Sequence, residues 1–540
     1  MDLELPLGKR TKFYRFFEIL PGASSILMIL TPVLLSIIDP LYGAIFVIVY
    51  LIIWFVKAMA MSARSIQGYN IMQRAARVDW AKRLADLEHP DKSIEQLKHT
   101  HKGWRIKDHH RNLERLASAV DVRKPSDMYH AVIIPTYNES LEVLDPTVKL
   151  LLSGSYDPKR IILILAYEER GGATTKDPVV EIERLYGKKF HSTHLVMHPS
   201  NLPDEVVGKG ANITYAGQYL QQFIEQTDIS PENVIVTTLD ADNHPHKEYF
   251  SLVTYEYIVS PMPRNISLQP MSIYINNIWD VPAPMRVLAT GNSVWNIVIS
   301  QRPHALRNFA AHSQGLASLI DTNFWSKRTI VEDGHQFWRS FFRYDGHYAV
   351  VPIHVPIYQS VVMSETYKTT LKAQFTQIRR WAYGASDIPY VAERVLTKKR
   401  TASFGDSFWK FLLLFEGHVS WASAPYILML GAFAPLLISS ESSRSIAAHQ
   451  LPNTASVIQT IALIGILVNI ILFLRFLPPR PKKYTWFRSF TMITQWVLTP
   501  LVGLVYSSAA ALNAQIHLML GKYLTKFDVT DKVVVKHDEA

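Results

Sequence analysis

The stretch 235-IVTTLDADNHPH-246 opens as a β-branched run and closes on two aspartates, an asparagine and two histidines. Such a run suits a strand buried on both faces, and strands of that kind belong to parallel sheets covered by helices. Ligands of these sheets bind outside the carboxyl ends of the strands, which is where the polar cluster falls. Two later segments extend the pattern: 330-IVEDGHQFW-338 repeats the passage from apolar run to acids, and 377-QIRRW-381 concentrates positive charge. Acids and arginines directed at one crevice suit an anionic ligand.

Outward from this stretch, the strands expected are 130-HAVIIP-135, 161-IILILAY-167, 193-THLVMH-198, 234-VIVTTL-239 and 349-AVVPIHV-355, with a further apolar strand at 266-ISLQPMSIY-274. They alternate with helical stretches, which predicts a mainly parallel sheet covered on both faces. The loops 135-PTYNES-140, 168-EERGG-172 and 240-DADNH-244 should then converge on one crevice.

The chain of 540 residues is 48% hydrophobic with a mean hydropathy just above zero, and the apolar residues are not spread evenly. Ile19 to Asp39 and Leu41 to Ala60 are nearly uncharged and long enough to cross a bilayer. Apolar character returns at Phe408 to Ser440, Ala455 to Phe476 and Phe490 to Leu520. Trp421 with Pro425, and Pro500 with Gly503, are expected to interrupt the longer of these stretches, leaving four to six passes. Lys9, Arg10, Lys12 and Arg15 precede the first span, and Lys57, Arg64, Arg74 and Arg77 follow the second. That bias places both flanks in the cytoplasm. No small-residue cleavage site follows the first span, which argues against a signal peptide.

The chain has no cysteine, which excludes disulfides, thiolate metal sites and a cysteine nucleophile. The net charge of +10 lies largely beside the spans, where anionic membrane lipid rather than nucleic acid is the expected partner. The polar region from Arg64 to about Asp127 reads as a helical connector broken at Pro90. Its His99, His101, His109 and His110 are expected on a solvated basic surface, without metal-ligand spacing.

Each chemical motif has an ordinary explanation beside the functional one. Asp240-Ala241-Asp242 could form only a turn or cap, or it could hold a Mg²⁺ or Mn²⁺ that neutralises a diphosphate. Glu332-Asp333 could simply complement a helix dipole, or one carboxylate could act as general base on an acceptor hydroxyl. Gln377-Ile378-Arg379-Arg380-Trp381 could be a membrane-surface helix, or Arg380 could bind the diphosphate while Trp381 stacks on the acceptor.

Taken in order, strand-PTYNES, D-x-D, E-D-G, Q-x-x-R-W and then membrane spans resemble the membrane-integrated family-2 glycosyltransferases, the group of cellulose, chitin and hyaluronan synthases and ceramide glucosyltransferase. The resemblance covers His130 to Asp387 and the flanking spans. It implies an α/β GT-A fold, Rossmann-like with a mainly parallel sheet, combined with an α-helical transmembrane region. It also implies direct displacement at the anomeric carbon with inversion. By the same resemblance Thr136, Tyr137 and Glu139 contact the nucleotide, Asp240 contacts the donor and Asp242 the metal. Asp333 is the base with Glu332 beside it, Gln377 and Arg380 bind donor, and Trp381 binds acceptor. Lys209 in 208-GKGAN-212 resembles the family's phosphate-approaching lysine. The chain departs from the pattern at 166-AYEERGG-172, where Glu168 or Glu169 replaces the usual aspartates that read the base.

The tail 527-FDVTDK-532 resembles the gating loop of bacterial cellulose synthase, with Phe527, Val529, Thr530 and Lys532 matching, and implies a cytoplasmic terminus and an even number of passes. The expected organisation is two amino-terminal spans (1–62), a helical connector (63–128), the catalytic domain (129–358), interfacial helices (359–406), a carboxyl-terminal membrane region (407–520) and a cytoplasmic tail (521–540). The expected activity is sugar transfer from a nucleotide-sugar donor, a UDP-sugar by resemblance, to a glycan or lipid acceptor. The leading form is a processive polysaccharide synthase in the plasma membrane with a cytoplasmic catalytic domain, and the alternative is a single addition to a lipid. A transporter would need intramembrane ionisable residues, for which Glu416 and His418 are the conspicuous candidates.

Overall fold

The computed structural model describes residues 3–100, 102–119, 122–397, 402–438 and 446–526. Eight strands form one sheet: β1 (Tyr129–Thr136), β2 (Ile161–Glu168), β3 (Ser192–His198), β4 (Val234–Thr238), β5 (His244–Pro245), β6 (Ile266–Tyr274), β7 (Ser313–Gly315) and β8 (Ala349–Gln359). Their order is β3-β2-β1-β4-β7-β6-β8-β5. The pairs β3-β2, β2-β1, β1-β4 and β6-β8 are parallel, whereas β7 pairs antiparallel with both β4 and β6, and β5 antiparallel with β8. The Rossmann-like expectation therefore describes the first four strands, and the whole sheet is mixed. β5 and β7, the two strands the sequence did not show, are only two and three residues long, too short to display a period.

Side-chain alternation explains why the central strands are apolar throughout. Val132 and Ile134 face one core with Leu144 and Val148 of the Leu141–Ser153 helix. Ala131 and Ile133 face the other with Ile213, Ala216 and Leu220 of the Lys209–Glu225 helix. Each fully buried aliphatic side chain contributes about 1.5–3 kcal/mol, so both helices are held against the sheet and their ends are fixed relative to the strand ends.

The connector is helical and is broken at Pro90 as expected: one helix ends at Asp86 and Pro90 begins the next, Pro90–Leu97, because a proline at the first helical position lacks only a donor that has no partner there. His109 is buried rather than solvated, its two ring nitrogens 2.9 Å from the Tyr255 hydroxyl and 3.2 Å from Asp86.

Among the described residues, five helical segments are long and apolar enough to cross a membrane: Lys12–Ile38, Pro40–Ala75, Phe404–Leu436, His449–Phe476 and Trp486–Met519. The first begins earlier than its apolar stretch, at a cap where Thr11 accepts from Tyr14 N. The Phe404–Leu430 helix runs through Pro425 without a break, although the sequence had suggested an interruption there.

Contacts fix where these segments begin and end. The start of the chain packs on the side of the sheet domain, with Glu4 bonded to Ser326 and paired with Arg339, and Leu3 O accepting from Tyr390. Lys12–Ile38 leads away to the turn at Asp39, and Pro40–Ala75 returns to the connector. His449–Phe476 also returns, since Pro478 O accepts from Trp279 Nε1 at 2.9 Å. The last segment differs, because both of its ends meet the catalytic side. Arg488 near its start donates to Trp279 O, and Leu518 O at its end accepts from Arg15 at 2.7 Å. Between them the helix passes through a 3-10 turn at Gln495–Leu498 and a π turn at Gly503–Ser508. Four segments thus have both the apolar length and the end placement that a crossing needs, whereas both ends of Trp486–Met519 lie on one side, as in a surface or re-entrant segment.

In this cysteine-free chain, Asp39→Cys and Ile446→Cys are expected to react with an impermeant thiol reagent from one face of the membrane. Lys482→Cys and Lys522→Cys should react only from the face that exposes the catalytic domain. Labelling of Lys522→Cys together with Asp39→Cys would put the last segment across the bilayer and remove the four-crossing arrangement.

Candidate active site

The acids after β4 are placed by sheet register. Ile133 pairs with Thr238, and Leu239 N donates to Ile133 O at 2.9 Å, so Asp240 emerges beside the carboxyl end of β1. The turn is pinned by Asn243 N on Asp240 O at 2.9 Å and by the Thr147 hydroxyl on Ala241 O at 2.7 Å. Asp242 is buried, and its carboxylate accepts from Ser360 N at 3.2 Å. Ser360 stands there because Tyr274 pairs with Gln359 at the end of the parallel β6-β8 ladder, while His244 pairs with Tyr358.

Lys209 opens the Lys209–Glu225 helix and donates to Asp240 at 2.6 Å. Burial favours the neutral amine, but Asp240, Glu332 and Asp333 outweigh it and hold the ammonium above its usual pKa. Gly210 makes the approach to Glu332 possible. A Cβ there would lie 2.6 Å from Ser326 O and 3.0 Å from the Glu332 Cβ, so any side chain would push the two elements apart.

Glu332 and Asp333 begin the Glu332–Arg343 helix, as the helix dipole favours. Glu332 is buried and Asp333 half-buried, with Asp333 accepting from Gly334 N at 2.7 Å. Burial raises the pKa of both carboxyls; Asp333 raises that of Glu332 further, and Lys209 opposes the rise at each. Carboxyls so coupled titrate as a pair, and the shared shift keeps a proton on the pair above the ordinary carboxylate range.

Arg380 belongs to the same field. It acts electrostatically on Glu332 and Asp333, and also on Tyr274, whose phenol is pushed up by burial and then by Asp240, Asp242 and Asp333. Tyr274 is thus a centre that sequence reading overlooked, at the last position of a strand it did identify. The Trp381 ring lies 6.2 Å from the Tyr274 ring on one side and packs with the apolar cluster of Val287, Leu288 and Val502 on the other. The Gln377 side-chain carbonyl accepts from Gln374 Nε2 at 2.9 Å.

The proposed nucleotide end is more divided. Thr136 is buried at the carboxyl end of β1, and its hydroxyl has no hydrogen-bond partner among the described residues. Glu139 folds back onto Tyr137 N, and the Arg170 guanidinium covers the Tyr137 ring at 4.6 Å. Glu168 is paired with Arg170 at 3.1 Å and with His198 at 3.2 Å, as the Glu168-His198 register of β2 and β3 dictates. Burial opposes the charge on His198, but Glu168 and Glu205 raise it to a pKa of about 9. Glu169 turns away, its carboxylate taken by the Ser200 amide and hydroxyl at 2.8 Å each. Of the two glutamates, Glu168 is the one held by the strand end. The match at Phe527, Val529, Thr530 and Lys532 lies outside the described residues, although Lys526 bridges to Val207, two residues before Lys209.

No group of three His, Asp or Glu side chains able to hold a metal by themselves occurs among the described residues. Two neighbouring aspartates do fit a hard divalent ion of the kind that completes its shell with substrate phosphates. The profile described as glycosyl transferase family group 2 matches residues 235–478, from β4 through the Q-x-x-R-W helix and into the membrane region. Over these residues the chain resembles the family-2 glycosyltransferases, and it is a glycosyltransferase. No curated protein matches it in sequence.

Among solved structures, the glycosyltransferase is similar to a mannosyltransferase from Pyrobaculum calidifontis in complex with GDP-Man and Mn²⁺. The identity is 14%, over 83% of this chain and 99% of that one, with a TM-score of 0.41. S. aureus TarS 1-349 in complex with UDP-GlcNAc is 12% identical over 63% of this chain and 90% of its own, at a TM-score of 0.29. GalNAc-T7 with UDP, GalNAc and Mn²⁺ is 13% identical over 54% and 58%, at 0.30.

The raised carboxyl pKa values give the glycosyltransferase a signed pH dependence. A folded pKa above the unfolded one favours the protonated pair, so its stabilisation is complete below the ordinary carboxylate pKa and is lost as pH rises through the higher folded value. Glu332→Gln removes that loss. In metal-free protein its denaturation midpoint should exceed the parent's at about pH 9 and differ little at about pH 5. Equal differences at both pH values would show that Glu332 is not held protonated.

Proposed function

We propose that this glycosyltransferase binds a nucleotide-sugar across the carboxyl ends of β1, β2 and β4 and transfers the sugar, with inversion, to an acceptor presented at the membrane surface by Trp381. The observation that carries the reading is the meeting of Lys209, Asp240, Glu332, Asp333 and Arg380 around one crevice. Asp333, less buried than Glu332, is the carboxylate able to reach an acceptor. It takes the proton of the acceptor hydroxyl as the new bond forms at the anomeric carbon and the bond to the diphosphate breaks. Arg380 and Lys209 bear the charge of the leaving diphosphate. A Mg²⁺ or Mn²⁺ held by Asp242, with Asp240 beside it, would neutralise the same group. Glu168 beside Arg170 offers the acceptor and donor that the imide edge of uracil requires, which supports a UDP-sugar.

Repeated addition, giving a polysaccharide, is the leading form, resting on the order of motifs and spans. Single addition to a lipid is favoured by one observation: Trp381 packs near Val502 of the Trp486–Met519 segment, whose two ends both lie on the catalytic side. Such a segment forms a shelf at the height of a lipid headgroup. A plasma-membrane location with the catalytic domain in the cytoplasm is supported by the basic residues around Arg10 and Arg15 at the catalytic end of the first span.

Purified protein in lipid, given a panel of nucleotide-sugars with Mg²⁺ or Mn²⁺, should release nucleotide from one donor class. Product length on a defined primer then decides the acceptor: a ladder supports repeated addition, and one added residue rejects it. Asp333→Asn should lower transfer more than about 100-fold with donor affinity nearly unchanged, since a base acts in the transition state. Transfer within tenfold of the parent would remove Asp333 from that role. Asp242→Ala should weaken donor and metal binding together, and full activity in excess chelator would refute the assignment.

A further inference from the structure

The helical connector borders an open pocket of about 650 Å³, within the range of small-molecule sites and apart from the proposed transfer crevice. Arg74, Arg77 and Lys82 line it and are exposed, while Arg83 is buried in its wall. The charges in the lining are unevenly committed. Asp79 caps Lys82 N at 2.8 Å and Asp86 receives His109 at 3.2 Å, so both acids already have partners. Arg83 donates to Trp104 O at 2.6 Å and lies 5.0 Å over the Trp80 ring. The side chains of Arg74, Arg77 and Lys82 make no ion pair or hydrogen bond among the described residues. Three uncommitted cations therefore line a cavity that Trp104 also lines.

The position selects the kind of anion. Arg74 stands 14 residues beyond Ala60, the end of the apolar stretch, on the unbroken Pro40–Ala75 helix, roughly 21 Å at 1.5 Å per residue. A tilt of about 40° still leaves roughly 16 Å. The headgroup layer is only about 5–8 Å deep, so a lipid phosphate does not reach the cavity. An anion that arrives from solution does.

We propose that the connector cavity binds a soluble nucleotide, with its phosphates on Arg74, Arg77 and Lys82 and its base against Trp104. Guanidinium groups take phosphate oxygens two at a time, and an indole wall suits a planar base. The site is separate from the donor crevice but tied to it. The Glu248 carboxylate accepts from Trp80 N at 3.0 Å at the start of the cavity's helix, and Glu248 lies six residues after Asp242.

The test is equilibrium binding of ADP to the full-length enzyme in lipid discs with excess chelator, a condition that disables the proposed metal-dependent donor site. Saturable binding is expected, weakened about tenfold or more by Arg74→Gln/Arg77→Gln and unchanged by Asp242→Ala. These exposed substitutions should leave transfer in the absence of ADP unaffected. Inorganic pyrophosphate should bind at least about tenfold more weakly than ADP. The proposal is overturned if ADP does not bind in chelator, if Asp242→Ala abolishes the binding, or if pyrophosphate binds as well as ADP. It is equally overturned if the double substitution alters attachment to phosphatidylserine vesicles instead of ADP binding. None of these outcomes depends on the transfer reaction, so failure here and failure of the proposed function are distinguishable.

Discussion

The ion pair between Lys209 and Asp240 is the constraint around which the catalytic half is arranged. Two sets of acids cannot be brought to one partly buried crevice without a cation between them, since uncompensated buried charge costs several kcal/mol. Lys209 supplies that cation from the first position of a helix whose apolar face is locked to the sheet. Gly210 then lets the Ser326 backbone and the Glu332 side chain close to contact distance. The same two residues thus link a packing requirement to an electrostatic one: the helix must sit close for the lysine to reach, and the lysine must be charged for the acids to tolerate the closeness.

A second buried pair extends this order toward the membrane. His335, one turn beyond Glu332, lies 2.6 Å from Asp387, at the start of the helix that follows Trp381. The helix that carries Glu332 and Asp333 and the segment that follows Trp381 are thereby joined through a polar contact inside an otherwise apolar cluster. Rearrangement of one is felt by the other.

Much of this was legible in the sequence because the long central strands are uniformly apolar and end in chemistry. β1, β2, β4 and β6 fall within a residue or two of their expected limits, and Glu332-Asp333 begins a helix as its charge suggested. What was not legible depends on contacts made across the fold. β5 and β7 exist because a neighbouring strand offers them a ladder, not because two or three residues have a preference of their own. His109 looked like one of several surface histidines until Tyr255 and Asp86 enclosed it. Tyr274 closes an apolar strand as many tyrosines do, and only the arrival of Asp240, Asp333 and Arg380 from distant segments makes it part of the site. The glycine after Lys209 could be read as loop punctuation, while its reason is the backbone it lies against.

Arg15 gives the chain a timetable. Its guanidinium, near the start of the first span, donates to Leu518 O and Met519 O, and it shares Glu18 with Arg10 and Tyr523. During synthesis the first span enters the bilayer hundreds of residues before these partners exist. Until the ribosome reaches them, Glu18 has only Arg10 and Arg15 from its own end of the chain, and Arg15 lacks its carbonyl acceptors. The first helix is thus completed by a segment made hundreds of residues later.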